Sequence, residues 1–157
     1  MHYYPLTYRE YITKYADEFN LEKALVASII NTESSFRSAS VSQSNAIGLM
    51  QLKFSTAEEI ATKLNDTNFK EENLFDPEYN IKYGCYYLRY LTNYYNGNIT
   101  NALCAYNAGL TNVNDWLVNK DYSKDGVNLT HIPYKETSDY IYKITHCKKI
   151  YKFFYKL

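Results

Sequence analysis

The chain has 157 residues, of which 46% are hydrophobic, and this suits one domain with a sizeable core. Seventeen basic and seventeen acidic residues give a formal net charge of zero. The balance argues against a nucleic-acid partner, because neutralising phosphates requires a basic excess. No run of about 18 apolar residues is present, so the sequence predicts no transmembrane helix.

The first part of the chain has apolar residues at helical spacing. Asn20 is predicted to cap a second helix that ends at Glu33. Residues 37–45 are rich in serine and small polar types, which predicts a loop. The stripe that predicts the first helix consists of Tyr8, Ile12, Tyr15, Ala16 and Phe19.

The middle of the chain carries two helix-start signals. Ser55-Thr56-Ala57-Glu58 reads as a capping box, and the polar stretch 65–73 follows as a loop. Asp76-Pro77 combines an N-cap carboxylate with proline at the first helical position. We predict that this helix ends at Asn96-Gly97. Its apolar face consists of Ile81, Gly84, Leu88, Leu91 and Tyr95.

The last part predicts three more helices. Thr100 is expected to cap one that runs to Gly109, and a short one follows over 113–117. Residues 118–131 have no periodicity, although 126–132 could hold a short strand. The prediction is one all-α domain of about seven helices over residues 1–157. The final helix follows Pro133 and carries Tyr140, Ile144, Cys147, Tyr151 and Phe154.

The cysteines and histidines predict no metal site. Cys85, Cys104 and Cys147 allow at most one disulfide, and the sequence leaves open whether it forms. No cysteine or histidine pair has metal-ligand spacing, so we expect no metal and no cofactor.

Glu33 is the first candidate for chemistry. It stands where an apolar helix meets a polar loop, and partial desolvation there would raise its pKa and keep it protonated as a proton donor. The alternative is an ordinary solvated glutamate at a helix end. Three further stretches, at 46–52, 105–109 and 132–140, place polar side chains beside small or apolar residues, but each is weak by itself.

Taken in order, these stretches resemble the catalytic domain of the soluble lytic transglycosylase family, glycoside hydrolase family 23. The resemblance runs from about residue 8 to about residue 142. It rests on Glu-Ser-x-Phe at Glu33–Phe36, Gly-Leu-Met-Gln at Gly48–Gln51, Ala-Tyr-Asn-Ala-Gly at Ala105–Gly109 and Pro-Tyr-x-Glu-Thr at Pro133–Thr137.

The resemblance implies a lysozyme-like helical fold with a glycan groove and Glu33 as the catalytic acid/base. Tyr106 and Asn107 would hold the sugar near the acid. The substrate would be the glycan strands of bacterial peptidoglycan, cut between N-acetylmuramic acid and N-acetylglucosamine to leave 1,6-anhydromuramyl ends. The full set expected to contact substrate or support the site is Ser34, Gly48, Met50, Gln51, Tyr106, Asn107, Glu136 and Tyr140.

The sequence departs from the family pattern at three places. Lys53-Phe54 stands where many members have Met-Pro, Ser138 stands where a basic residue often follows Glu-Thr, and Leu110-Thr111-Asn112 lacks the usual proline and glycine. None of these departures removes a catalytic group, so they affect groove details and substrate preference.

Three alternatives stay open. A goose-type lysozyme-like muramidase would add water and need a second acid, for which Glu136 and Asp139 are the candidates. A non-catalytic glycan-binding module would not need Glu33. The basic and aromatic tail at 148–156 could bind a membrane surface or nucleic acid, although a terminal helix that docks its rings on the core is favoured.

Because the implied substrate lies outside the cytoplasm, we expect the protein to be in the cell envelope or secreted. The start, Met1-His2-Tyr3-Tyr4-Pro5, is not a secretory signal. We therefore expect export, or a membrane anchor, to depend on a segment that this chain lacks. We also expect a monomer and no nucleic-acid partner.

Overall fold

The computed structural model describes residues Tyr4–Leu157, and the regular secondary structure in that range is helical. Met1, His2 and Tyr3, which open the stretch that does not resemble a secretory signal, lie outside the described residues. Between Tyr4 and Leu157 only isolated bridges occur and no strand forms, which confirms the all-α prediction. The seven α-helices within these described residues are α1 (Arg9–Glu18), α2 (Lys23–Ser34), α3 (Phe54–Lys63), α4 (Pro77–Tyr94), α5 (Ile99–Ala108), α6 (Leu110–Val118) and α7 (Lys135–Tyr155), with a 3-10 helix at Glu71–Phe75.

The packing divides the chain into two compact units. The first unit holds the residues up to Tyr87 together with His146–Leu157, and the second unit holds Leu88–Thr145. Two helices are therefore shared: α4 begins in the first unit and α7 begins in the second. The assignment of residues 1–157 to one catalytic domain stays a prediction.

The first unit is built around α2. This helix is buried from Ala24 to Ile30, so nearly its whole circumference is covered, and α1 packs against it. The apolar stripe of α1 supplies Ile12, Tyr15 and Ala16 to the core, as its spacing predicts. The Tyr15 hydroxyl donates to Glu78 Oε1 at 2.7 Å, which ties α1 to the start of α4.

The second unit contains the pair α5 and α6, which pack against each other. The long loop after α6 is hydrogen-bonded to the start of α5 by two asparagines. Asn98 Nδ2 and Asn101 Nδ2 both donate to the Val127 carbonyl, at 3.3 and 2.8 Å. Asp125 accepts the backbone and side-chain N–H groups of Asn128 and the backbone N–H of Val127, and these bonds hold the pKa of its carboxyl well below the usual value.

The helix-end predictions at α4 are confirmed. Asp76 Oδ1 accepts the Tyr79 N–H at 2.9 Å and the helix starts at Pro77. After Tyr94 the chain turns through Asn96 and Gly97, both with positive φ, at 51° and 87°. The predicted apolar face of this helix is buried throughout.

Three predicted caps are wrong. Asn20 has left-handed φ of 52° in the turn before α2, and Glu22 is the residue at the N-cap. The residue before α3 is Lys53, because Phe54 already belongs to the helix and its ring stacks on Phe69, 6.1 Å away. Asn98 rather than Thr100 caps α5, since its side chain accepts the Asn101 N–H at 3.0 Å.

Two other predictions are also wrong. In place of the suggested strand at 126–132, the structure has a single bridge between Ser123 and Leu129. The Asp125 side chain accepts the Val127 N–H and stabilises a turn in the backbone between them. Phe154 is 55% exposed rather than part of the core, whereas Tyr140, Ile144, Cys147 and Tyr151 on the same helix are buried.

Candidate active site

Glu33 is the second-last residue of α2, at the boundary that the sequence predicts. Its side chain is partly exposed, although α2 is buried up to Ile30. The helix stops because Ser35 and Phe36 both have left-handed backbone, at φ of 52° and 61°. Phe36 then turns inward and packs against Tyr151, with ring centroids 6.3 Å apart. The carboxyl group therefore sits on a fixed helix end between the core and a polar loop.

The loop that follows folds back on itself and carries the Gly-Leu-Met-Gln motif. The Gly48 N–H donates to the Ser40 carbonyl at 2.8 Å, and Ile47 and Leu52 form a pair of backbone hydrogen bonds. Gln51 has left-handed φ of 52°, and its Nε2 donates to the carbonyls of Gly48 and Ser40, at 2.9 and 3.2 Å. The amide nitrogen of Gln51 is thus bound by two backbone carbonyls.

One peptide unit inside this motif is held at both ends. The Ser34 hydroxyl lies 2.8 Å from the Leu49 carbonyl oxygen, and the Met50 N–H donates to Asn80 Oδ1 at 2.7 Å. Both side chains are buried, at 2% and 0% exposure. Asn80 Nδ2 also donates to the carbonyls of Ile47 and Leu74, so the side chain uses both of its donor hydrogens and one side of its oxygen.

Two glycines let this arrangement close. Gly48 has φ of +80°, and a Cβ there would lie 2.3 Å from both Asn80 Nδ2 and the Leu74 carbonyl oxygen. A Cβ on Gly84, one helical turn after Asn80, would lie 2.3 Å from Met50 Sδ. Glycine is therefore required at Gly48 inside the motif and at Gly84 on α4, which packs against Met50.

Four predicted site residues lie in the second unit. Asn107 and Tyr106 are partly exposed at the end of α5, whereas Tyr140 is buried on α7. Glu136 lies in the first turn of α7 and is exposed. The Thr137 hydroxyl, which is 1% exposed, donates to Asn107 Oδ1 at 2.8 Å. This bond fixes the Asn107 side chain and turns its amide nitrogen away from Thr137.

A second cluster of polar side chains lies apart from these motifs, between α3 and α4 in the first unit. Asp66 Oδ2 accepts the hydroxyls of Tyr79 and Tyr83, each at 2.7 Å, and these bonds lower the pKa of the carboxyl. In return, the bond to Asp66, together with burial, raises the pKa of Tyr79 to about 12. An open depression of about 440 Å³ lies beside this cluster, lined by Glu58, Ala61, Thr62, Asn65, Asp66, Thr67 and Phe69.

The most decisive comparison is with protein families. A family model described as the transglycosylase SLT domain matches residues 10–128. The chain belongs to this family. The match includes the motifs around Glu33, Gly48 and Tyr106, whereas Glu136 and Tyr140 lie beyond its end.

Several known proteins are similar to this SLT domain. The membrane-bound lytic murein transglycosylases C of Yersinia pestis and Yersinia pseudotuberculosis are 39% identical over 109 residues, which cover 68% of this chain and 30% of theirs. A lytic transglycosylase of Pseudomonas aeruginosa, solved as an inactive glutamate-to-glutamine mutant, has a TM-score of 0.83 and 28% identity, covering 95% of this chain and 24% of that one. The 70 kDa soluble lytic transglycosylase of Escherichia coli has a TM-score of 0.84 and 26% identity, covering 96% and 25%.

These matches confirm the family and the lysozyme-like fold that the motifs predict. The SLT domain spans less than a third of the length of these relatives. Between Tyr4 and Leu157 no helix is long and apolar enough to cross a membrane, and no group of potential ligands could hold a metal ion. Cys85, Cys104 and Cys147 are all buried and unbridged, and burial raises the pKa of Cys104 to about 12.

Sequence reasoning missed two residues of this SLT domain. Asn80 is a lone amide on the inward face of α4, four residues before Gly84. Thr137 lies in the Pro-Tyr-x-Glu-Thr motif, but its role toward Asn107 cannot be read from the spacing. One feature of the sequence could have identified Asn80. It is a polar residue on an otherwise apolar helix face, and a buried amide requires hydrogen-bond partners.

Proposed function

We propose that this SLT domain is a peptidoglycan lytic transglycosylase with Glu33 as its acid and base. The observation that carries the proposal is the setting of Glu33. It is a carboxyl group on the rigid end of a buried helix, next to a motif whose backbone is held by Ser34 and Asn80. A general acid needs a fixed position relative to the bond that it protonates, and this setting supplies one.

In the proposed reaction, Glu33 donates its proton to the oxygen between N-acetylmuramic acid and N-acetylglucosamine, and the bond to the muramyl C1 breaks. The acetamido group of the substrate stabilises the cationic carbon. The Glu33 carboxylate then takes the proton of the muramyl C6 hydroxyl as that oxygen attacks C1. The products are a 1,6-anhydromuramyl end and a free N-acetylglucosamine hydroxyl, and no water is consumed.

A single carboxyl group is sufficient for this reaction. Most glycosidases use two carboxylates, because one must protonate the leaving group while the other serves as base or nucleophile. In the proposed cycle Glu33 performs both proton transfers and the substrate supplies the nucleophile. In the Pseudomonas aeruginosa relative, replacement of one glutamate by glutamine gives an inactive enzyme, so that relative depends on at least one glutamate, which is in keeping with the role proposed for Glu33.

The remaining predicted residues are proposed to contact the glycan strand or to shape the surface that does. In the first unit, Gln51 is partly exposed and is proposed to contact the strand, whereas Gly48 and Met50 are buried and are proposed to shape the loop that carries it. Ser34 is proposed to act mainly through its bond to Leu49, since its hydroxyl is buried. In the second unit, Tyr106 and Asn107 contact sugar, and Glu136 and Tyr140 contact or support it.

The substrate also sets the proposed location. Peptidoglycan lies outside the cytoplasm, and curated relatives carry the name of membrane-bound murein transglycosylases, so we propose that this domain works in the cell envelope or is secreted. We further propose that it acts as a monomer.

The test is mass spectrometry of the soluble products released from purified peptidoglycan. The wild type is expected to release anhydro-muropeptides, and Glu33→Gln is expected to lose at least about a hundredfold in rate, in keeping with the loss of a general acid. Glu59→Gln on the exposed side of α3 is the matched control, and it should retain full activity.

The products separate the alternatives. Reducing-end muropeptides that carry oxygen from labelled water would show a hydrolase, and Glu136→Gln would then test the second acid. Full activity in Glu33→Gln would refute the assignment of the acid. No products from several wall types, with retained glycan binding, would show a binding module instead.

A further inference from the structure

The C-terminal end of α7 exposes two adjacent phenylalanines. Phe153 is 78% exposed and Phe154 is 55% exposed, and their rings contact each other edge to face with centroids 5.0 Å apart. Single exposed apolar residues are common on protein surfaces, but two neighbouring phenyl rings on a helix end expose a continuous apolar patch.

The same helix end is firmly fixed on its inner side. Tyr151 is fully buried and its hydroxyl donates to the Pro5 carbonyl at 2.8 Å. The Tyr155 hydroxyl donates to the Tyr4 carbonyl at 2.7 Å, and Arg9 donates to the Tyr155 carbonyl at 3.3 Å. The phenylalanines are thus held outward by a docked helix, and their exposure is a property of the folded unit.

Lysines surround this patch. Residues 146–157 include four lysines and no acidic residue. Lys149 and Lys156 are exposed, and within residues 4–157 neither forms an ion pair. Lys148 and Lys152 both pair with Glu22, so one carboxylate offsets part of the positive charge. Lys149, Lys152 and Phe153 are spaced i, i+3 and i+4, which places them on one face of the helix.

We propose that this patch, defined by Lys149, Lys152, Phe153, Phe154 and Lys156, binds the surface of an anionic phospholipid membrane. Phenyl rings enter the boundary between head groups and acyl chains, while Lys149 and Lys156 beside them pair with lipid phosphates and Lys152 stays bound to Glu22. The helix lies on the membrane without crossing it. The patch would hold the domain at a bilayer next to the wall.

The composition of the patch favours lipid over nucleic acid. Nucleic-acid surfaces use a wide basic area with hydrogen-bonding side chains, whereas this chain has no net charge and the centre of the patch is two phenyl rings. A second copy of the chain is also disfavoured, because the lysines of one patch would face the lysines of the other. An anionic bilayer matches both the apolar centre and the positive rim.

The test is co-sedimentation of the full chain with large vesicles, either phosphatidylcholine alone or phosphatidylcholine with about one third phosphatidylglycerol. We expect binding to the anionic vesicles and little to the neutral ones. Lys149→Gln with Lys156→Gln should weaken binding by about fivefold per lysine. Phe153→Ser with Phe154→Ser should weaken it by about tenfold or more.

Matched substitutions serve as controls. Val118, at 80% exposure, is as exposed as Phe153, and Lys53 is an exposed lysine elsewhere, so Val118→Ser and Lys53→Glu should leave binding unchanged. Circular dichroism checks that each variant is folded. Glu33→Gln should bind vesicles as the wild type does, which separates this proposal from the catalytic one.

Three outcomes would overturn the proposal. The first is an absence of binding to anionic vesicles at low salt. The second is binding that the phenylalanine variant retains in full. The third is tighter binding to an oligonucleotide than to vesicles with the same residue dependence, which would assign the patch to nucleic acid.

Discussion

Ser34 and Asn80 hold the two ends of one peptide unit, since the Ser34 hydroxyl binds the Leu49 carbonyl and Asn80 Oδ1 binds the Met50 N–H. The two residues are far apart in sequence and belong to α2 and α4. Rotation of that peptide would break both bonds in a buried site, where unpaired polar groups are costly. Ser34, which follows Glu33 in α2, and Asn80, near the start of α4, therefore hold the same segment of the Gly-Leu-Met-Gln motif.

Asn80→Ala is expected to lower the free energy of unfolding by about 2–4 kcal/mol, because it removes three buried hydrogen bonds and leaves a small cavity. Urea denaturation measures the change. Asn93→Ala on the exposed side of the same helix is the control and should cost less than about 1 kcal/mol. Equal effects of the two substitutions would mean that the bonds to Met50, Ile47 and Leu74 add no specific stability.

Gly48→Ala is expected to destabilise the domain by about 3 kcal/mol or more. Its Cβ would meet Asn80 Nδ2 and the Leu74 carbonyl at 2.3 Å, and its φ of +80° already disfavours a side chain. Gly97→Ala separates the two causes, because Gly97 has a similar φ of +87° with nothing within 4 Å of the added carbon. Gly97→Ala should therefore cost only about 1 kcal/mol. A cost at Gly48 no larger than that at Gly97 would show that the loop moves aside and is not held tightly.

Much of the fold could be predicted from local signals. The stripe of α1 and the start of α4 at Asp76-Pro77 are contained in a few consecutive residues, so the sequence alone located them. The three cap predictions failed because residues two positions earlier or later stand at the helix starts, and at α5 the Asn98 side chain makes the capping bond. Phe54 belongs to α3 and its ring stacks on Phe69, a contact that no local pattern at 55–58 indicates.

The motifs of the candidate site could be predicted from the sequence, but the residues that hold those motifs in place could not. Glu33 and Gly48–Gln51 could be found because their order and spacing resemble a family, and the position of Glu33 at a helix end follows from the apolar pattern before it. Asn80 and Thr137 could not be assigned roles, because their partners are 30 residues away in sequence and are met only in the folded chain.

The Asp66 cluster predicts a pH dependence of stability. Hydrogen bonds from Tyr79 and then Tyr83 lower the pKa of Asp66, so its contribution is present above the ordinary aspartate pKa of about 4 and is lost as the pH falls through the lowered value. The pKa of Tyr79 is raised to about 12, so its contribution is full below about pH 10 and is lost as the pH rises through about 12.

The measurement is the difference in unfolding free energy between the wild type and Asp66→Asn across pH. We expect a constant difference between about pH 5 and pH 9, with a decrease below about pH 4 and above about pH 10. Asp121→Asn, on an exposed loop, should show no such profile. A difference that stays constant from pH 3 to pH 11, within error, would mean that the Asp66 charge is not coupled to the two tyrosines.

Thr137 is expected to act on catalysis through Asn107, because its buried hydroxyl holds Asn107 Oδ1 at 2.8 Å. If Asn107 contacts the glycan strand as proposed, Thr137→Val should lower kcat/KM for peptidoglycan cleavage by about tenfold, since a free amide samples several orientations. The free energy of unfolding should fall by only about 1 kcal/mol. Thr137→Ser keeps the hydroxyl and should restore most of the activity, which a purely steric role of the threonine methyl would not predict.

Thr145→Val is the matched control for this experiment, because Thr145 lies on the same helix, is exposed and donates to the Ile141 carbonyl within that helix. Its kcat/KM should equal that of the wild type. Asn107→Ala combined with Thr137→Val completes a double-mutant cycle. If the two residues act together, Thr137→Val will have little further effect once Asn107 is absent. Additive losses would show instead that Thr137 influences cleavage without Asn107, and the positioning role would then be rejected.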